Sequence, residues 1–193
     1  MLVVILAAGA SLRLGTSKQL VSIAGEPLLR RQCRRALSAR VGPVLALLGC
    51  DADRHRRVIN DLPVEVCVNE EWQEGMAATL RHGVGIAMER RAASLVLPCD
   101  QYRITSSDLR TLHAIWRRAP SSACVSRWGD YAGPPVILPI ECYDAVRQLH
   151  GDIGARAILY DTQRPHPLEV PNVRAIYDLD CPEDMAIAQS STP

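Results

Sequence analysis

Short apolar runs alternate along this chain with segments of helical period, and that alternation limits the fold more than any other feature. The runs are LVVIL (2–6), VLALL (44–48), VEVCV (64–68), SLVLP (94–98), SACVS (122–126), PPVIL (134–138) and RAIYD (174–178). Between them, PLLRRQCRRALSA (27–39) sets Leu28, Leu29, Cys33 and Leu37 toward one face and its arginines toward another. MAATLRHGVGIAMERR (76–91), SDLRTLHAIWRRA (107–119) and ECYDAVRQL (141–149) read the same way, and Thr105 to Asp108 supply capping residues for the second of these. Strand–helix alternation with short loops predicts an α/β fold, a single-domain Rossmann-like three-layer αβα sandwich with a mainly parallel sheet. Ligands of such sheets bind beyond the carboxyl ends of the strands. No internal repeat, low-complexity tract or linker interrupts the pattern. QRPHPLEVPN (163–172) reads as a surface loop, so residues 1–193 are expected to form one domain.

Charge and cysteine usage remove several function classes. Lys and Arg total 22 against 21 Asp and Glu, a net charge of +1, so no overall field attracts nucleic acid or an anionic membrane. The seven cysteines (33, 50, 67, 99, 124, 142, 181) are odd in number, widely spaced and free of C-x-x-C pairs, and the five histidines are scattered. Neither a disulfide framework nor a zinc site is indicated; buried, inert thiols are expected. The apolar stretch Leu2 to Ala8 is far short of the roughly 20 residues that span a bilayer, and no basic segment precedes it. The expectation is a soluble cytoplasmic protein that binds neither nucleic acid nor membrane.

Any anion site must then be local, and one loop is built for it. LAAGASLRLGTSK (6–18) runs from the first strand-like segment with small residues, two cations and little bulk. It is neither a P-loop, G-x-x-x-x-G-K-[ST], nor a dinucleotide turn, G-x-G-x-x-G. The physics of both still applies: Gly and Ala let backbone N–H groups approach phosphate oxygens, and Arg13 and Lys18 neutralise them. The plainer alternative is a strand-to-helix loop with solvated cations. Of the 22 basic residues only Lys18 is a lysine, and an ammonium is a compact point charge where guanidinium is a planar fork.

The pattern L-A-A-G-x-S-x-R-x-G-x-x-K, with QL (19–20) and GEPLL (25–29), resembles the MobA-like nucleotidyltransferase family. That family includes molybdenum cofactor guanylyl- and cytidylyltransferases and is related to sugar-phosphate and methylerythritol-phosphate transferases. The resemblance implies that the loop holds a nucleoside triphosphate, with Leu6, Ala7, Ala8 and Gly9 against base and ribose and Arg13, Gly15 and Lys18 on the phosphates. NEEWQEGMAATLRHGV (69–84) is similar to the family segment that places Asn69, Gly75, Met76 and Thr79 near base or acceptor. Plain core packing is the alternative for Met76 and Leu80, and Trp72 reads as a packing residue.

LVLPCDQY (95–102) and YDLDCPEDM (177–185) resemble the family's two metal-binding segments. They imply Mg²⁺ held by Asp100 and Asp180, with Asp178 the less favoured choice for the second carboxylate; both acids could instead be caps. GPPVILP (133–139) and GDIGARAIL (151–159) are similar to the acceptor side, with Gly133, Asp152 and Arg156, where Asp152 would cap a helix starting near Arg156. Tyr102, Cys181 and Pro134 replace the family's usual Pro, Thr and His, and the last bears on the acceptor.

The implied reaction is nucleotidyl transfer from CTP or GTP to a phosphorylated acceptor, with Arg13, Lys18 and Asp100 catalytic. An N-terminal half would bind nucleotide and a C-terminal half acceptor. Ala7-Ala8-Gly9 in place of the Ala-Gly-Gly of guanylyl members, together with GDIGAR (151–156), points to the cytidylyl branch, with molybdopterin as acceptor and a molybdoenzyme or its chaperone as a further partner. The alternatives are a sugar- or polyol-phosphate nucleotidyltransferase and a non-catalytic nucleotide- and cofactor-binding chaperone.

Overall fold

Strand β1 (Leu2–Ala7) is apolar throughout and buried at all but one position, as a strand covered on both faces must be. The computed structural model describes residues 1–160 and 165–190. After β1, a short hairpin of β2 (Ser22–Ile23) and β3 (Glu26–Pro27) leads into α1 (Leu28–Ala39). Then come β4 (Val44–Leu48), α2 (Ala52–Arg57), β5 (Glu65–Val68), α3 (Met76–Glu89), β6 (Ser94–Pro98) and α4 (Ser106–Trp116). The chain continues through β7 (Cys124–Trp128), β8 (Tyr131–Leu138), α5 (Tyr143–Arg147), α6 (Arg156–Leu159), β9 (Leu168–Pro171) and α7 (Pro182–Ser190).

One sheet has the strand order β5-β4-β1-β6-β8-β7-β9. β1 pairs in parallel with β4 and β6, β4 with β5, and β7 with β9, while β8 runs antiparallel to both neighbours. The chain steps outward from β1 to β4 and β5, then returns on the other side of β1 as β6. Strand order therefore reverses between β1 and β6, the switch point where open α/β sheets form a crevice. The register Leu6 to Pro98 keeps the ends of these two strands level.

Alternation along the strands feeds two core layers. Val3, Ile5, Leu95 and Leu97 pack with Leu28, Leu29 and Cys33 of α1 and with Leu109 and Leu112 of α4. Leu2, Val4 and Val96 face the other way, against Leu80 and Val84 of α3 and Tyr143 and Val146 of α5. The three-layer αβα sandwich expected from the sequence is thus present. Gly83 allows α3 to lie this close, since a Cβ there would sit 2.7 Å from Val4 Cγ1. The cap expected for α4 is a full capping box: Thr105 Oγ1 accepts from Asp108 N, and Asp108 Oδ2 accepts from Thr105 N at 2.8 Å.

Two expectations are corrected. RAIYD (174–178) is not a strand: Val173–Ile176 form a 3-10 turn that starts where Asn172 Oδ1 accepts from Arg174 N at 3.1 Å. The remaining strand is Leu168–Pro171, inside the Pro-rich segment read as a surface loop. Prolines flank and end it, which an edge strand tolerates because one of its sides has no ladder to complete. Positions 163 and 164 of that segment lie outside the described residues. Among the described residues no helix is long and apolar enough to cross a membrane. All seven cysteines are free; Cys33, Cys99, Cys124 and Cys142 are buried.

Candidate active site

The loop after β1 turns back on itself. Ser11 takes a left-handed conformation (φ 57°), Leu12–Leu14 form one 3-10 turn, and Gly15 (φ 70°) closes it with its N–H on Leu12 O. Gly at that last position avoids the strain a side chain would add. The chain then enters a second 3-10 turn at Lys18, whose side chain points inward.

Lys18 Nζ lies 2.9 Å from Asp100 Oδ2 and 2.8 Å from Asp180 Oδ1, so one ammonium bridges two carboxylates. Asp100 lies just past the end of β6, and Asp180 precedes α7. Arg13 Nη2 reaches Asp180 Oδ2 at 3.0 Å from a side chain that is 76% exposed. Burial works against the charge on Lys18, but the neighbouring Asp100 and Asp180 outweigh it and hold its pKa above the usual value. Residues 82 and 162 positions away thus converge on Lys18 at the β1–β6 switch point.

A cleft of about 690 Å³ opens beside this group. Of the residues expected in the site, Leu6, Ala7, Ala8, Gly9, Arg13, Lys18, Gly75, Met76, Thr79, Asp100, Asp152 and Asp180 line it. Met76 is 47% exposed there, whereas Leu80 is core. The other four stand outside the lining. Gly15 sets the loop turn. Asn69 is buried behind the wall, where its Nδ2 donates to Thr79 Oγ1 at 3.1 Å. Gly133 makes room for Tyr131, whose hydroxyl would stand 2.8 Å from a Cβ. Arg156 is exposed at the start of a helix of only four residues.

Asp152 has a different cap from the one expected. Its Oδ1 accepts from Met76 N at 3.4 Å, and Gly151 O accepts from Ala77 N at 2.9 Å, so this loop covers the start of α3 rather than of α6. Gly75 (φ 119°) permits the contact, because a Cβ would lie 2.6 Å from Asp152 Oδ1 and from Gly151 O.

Residues not expected in the site join the lining as well. Gln19, 1% exposed, donates from Nε2 to Ala7 O at 3.1 Å and Gly9 O at 2.8 Å. Trp72 and the 87% exposed Leu12 also line the cleft. Asp178 is set deeper than Asp180: burial first, then the charges of Asp100 and Asp180, raise its pKa to about 7, and its Oδ1 is buried with no partner among the described residues.

The donor set suits a hard divalent cation. Asp100 and Asp180 present carboxylate oxygens to a common point, now taken by the Lys18 ammonium. Among the described residues no group of three or more His, Cys, Asp and Glu side chains is gathered for a metal. A cation would therefore take these two carboxylates and complete its shell with phosphate oxygens and water.

A mainly parallel sheet with a cation-bearing loop after β1 and two acids across the switch point defines an α/β protein with a charged crevice at its strand ends. The chain belongs to the MobA-like NTP transferase family, whose domain matches residues 3–167. It is 30% identical to the purine catabolism protein PucB of Bacillus subtilis, over 94% of this chain and 92% of that one. The crystal structure of Rv0371c from Mycobacterium tuberculosis H37Rv superposes with a TM-score of 0.83 at 26% identity, covering 100% of this chain and 99% of the other. A manganese complex of Rv0371c gives a TM-score of 0.79 at 23% identity, covering 99% and 98%. Molybdopterin-guanine dinucleotide biosynthesis protein A of Archaeoglobus fulgidus shares the fold, with a TM-score of 0.70 at 16% identity and coverage of 98% and 97%.

Proposed function

We propose that this nucleotidyltransferase moves CMP from CTP to a terminal phosphate of molybdopterin and releases pyrophosphate. The observation that carries the reading is the meeting of Lys18, Asp100 and Asp180 at the mouth of the β1 loop. A phosphomonoester oxygen of the acceptor attacks the α-phosphorus, the bond to the bridging β-phosphate oxygen breaks, and pyrophosphate departs with the electron pair. The acceptor is ionised near neutrality, so no strong general base is needed; positioning and charge stabilisation supply the rate.

The N-terminal half would hold the nucleotide. Ala7, Ala8 and Gly9 offer backbone to base and ribose, and Thr79, held by Asn69, faces the same cleft. Lys18 and Arg13 would stabilise charge on the phosphates, Gly15 shaping the loop that presents them. Asp100 and Asp180 would hold Mg²⁺, which when bound would neutralise phosphate charge. On the C-terminal side Asp152 shapes the wall, and Gly133 and Arg156, which stand outside the lining, would meet an acceptor that extends beyond the cleft. Ala7-Ala8-Gly9, in place of the Ala-Gly-Gly of guanylyl members, supports CTP over GTP.

Pyrophosphate release with Mg²⁺, CTP or GTP, and reduced molybdopterin or a panel of sugar and polyol phosphates tests this reading. Release with CTP and molybdopterin alone is expected. Release with GTP overturns the base assignment, and release only with a sugar phosphate overturns the acceptor. Nucleotide binding with no release from any pair favours a carrier over an enzyme.

A further inference from the structure

The loop after β1 is also held from outside the cleft. His55, in α2, is 1% exposed, and its Nε2 lies 2.7 Å from Ser17 Oγ. Gln19 fixes the direction of every bond in this group. Its Nε2 hydrogens go to the carbonyls of Ala7 and Gly9, which turns Oε1 toward Ser11 and Ser17. Both hydroxyls donate to that oxygen, at 3.2 and 3.0 Å. A hydroxyl has a single proton. Since Ser17 gives its proton to Gln19, its oxygen accepts from His55, and the imidazole is protonated on Nε2.

The rest of the ring agrees. Nδ1 is then a bare lone pair, and it is buried without a partner among the described residues. Burial lowers the pKa of His55, which keeps the ring neutral. The same assignment shows that Ser17 is not an activated nucleophile, because its proton faces an amide oxygen rather than the imidazole. Ser11 Oγ, the other donor to Gln19, accepts from the Lys18 backbone N–H at 3.1 Å. A continuous chain of hydrogen bonds therefore runs from α2 to the end of β1 and to Lys18.

We propose that His55 is a positioning residue: through Ser17 and Gln19 its Nε2–H sets the carbonyls of Ala7 and Gly9 and the backbone of Lys18 in the arrangement that receives the triphosphate. The inference rests on the assignment of this loop to the nucleotide. A histidine that merely fills space would be replaced by any side chain of similar volume. A positioning histidine needs a donor at the Nε2 place, which Gln reaches and Leu lacks.

Calorimetric titration with CTP and GTP in the presence of Mg²⁺, beside thermal unfolding midpoints, separates the two. His55→Leu and Ser17→Ala should each weaken binding about tenfold, the loss of roughly one hydrogen bond. The double variant should bind no more weakly than either single one, because both break the same chain. His55→Gln should restore affinity to within about threefold of the wild type, with a midpoint no higher than that of His55→Leu. Should His55→Leu fail to fold, Ser17→Ala, in the half-buried loop, still decides the matter. Wild-type affinity in Ser17→Ala, additive losses in the double variant, or His55→Gln as weak as His55→Leu would each overturn the assignment. If the wild-type chain binds neither nucleotide, the nucleotide reading itself fails and the positioning role falls with it.

Discussion

Lys18 does at the residue scale what none of the 21 arginines is shaped to do. An ammonium offers three donors around one point, so it can sit between Asp100 and Asp180 at 2.9 and 2.8 Å, where a planar guanidinium would favour one carboxylate. Lys18→Ala should lower turnover by about 10²–10³-fold, the usual cost of removing one preorganised donor, and Lys18→Arg should not rescue it. Steady-state kinetics check this, with circular dichroism to confirm the fold; near-normal turnover in Lys18→Ala would remove it from the mechanism. Lys18, Asp100 and Asp180 were legible because each sits in a long motif of fixed spacing. His55 and Gln19 were not, since their meaning lies in which partner each proton faces, and residues 38 positions apart meet only through the fold.

At the scale of elements, the start of α3 shows how a loop and a helix fit one another. Gly75 is held at φ 119° with Asp152 and Gly151 against it, so a side chain there has neither an allowed backbone nor room. Gly75→Ala should cost about 1–3 kcal/mol. Gly85→Ala, in the same helix with nothing within 4 Å of the added Cβ, should gain about 0.5–1 kcal/mol instead. Denaturant midpoints of the two variants would differ in opposite directions from the wild type; equal shifts would contradict this account of the contact. The sequence showed α3 by its period but placed the Asp152 cap on the nearer helix, because α6 is only a few residues away and α3 is 76. The antiparallel hairpin of β7 and β8 also escaped the reading, although Gly129-Asp130 between two apolar runs marks the turn. β9 was hidden because prolines argue against a strand unless they fall at a sheet edge, as here, or at an irregularity of the pairing, as Pro134 and Pro135 do in β8.

For the whole molecule, alternation of strand and helix was enough to foresee the layered sheet, and the layered sheet explains where the site lies. β1 supplies the loop, β6 ends two residues before Asp100, and the segment leading to α7 returns across the sheet with Asp180. The order β5-β4-β1-β6 places these ends side by side at the crevice, an arrangement no local pattern contains. If this crevice transfers a nucleotidyl group, the fate of a label on the α-phosphate of CTP reveals it. Incubated with Mg²⁺ and reduced molybdopterin, the protein should move that label into the acceptor in step with pyrophosphate release. Label that remains in CTP or appears only as free CMP, or transfer of the γ-phosphate instead, would contradict it.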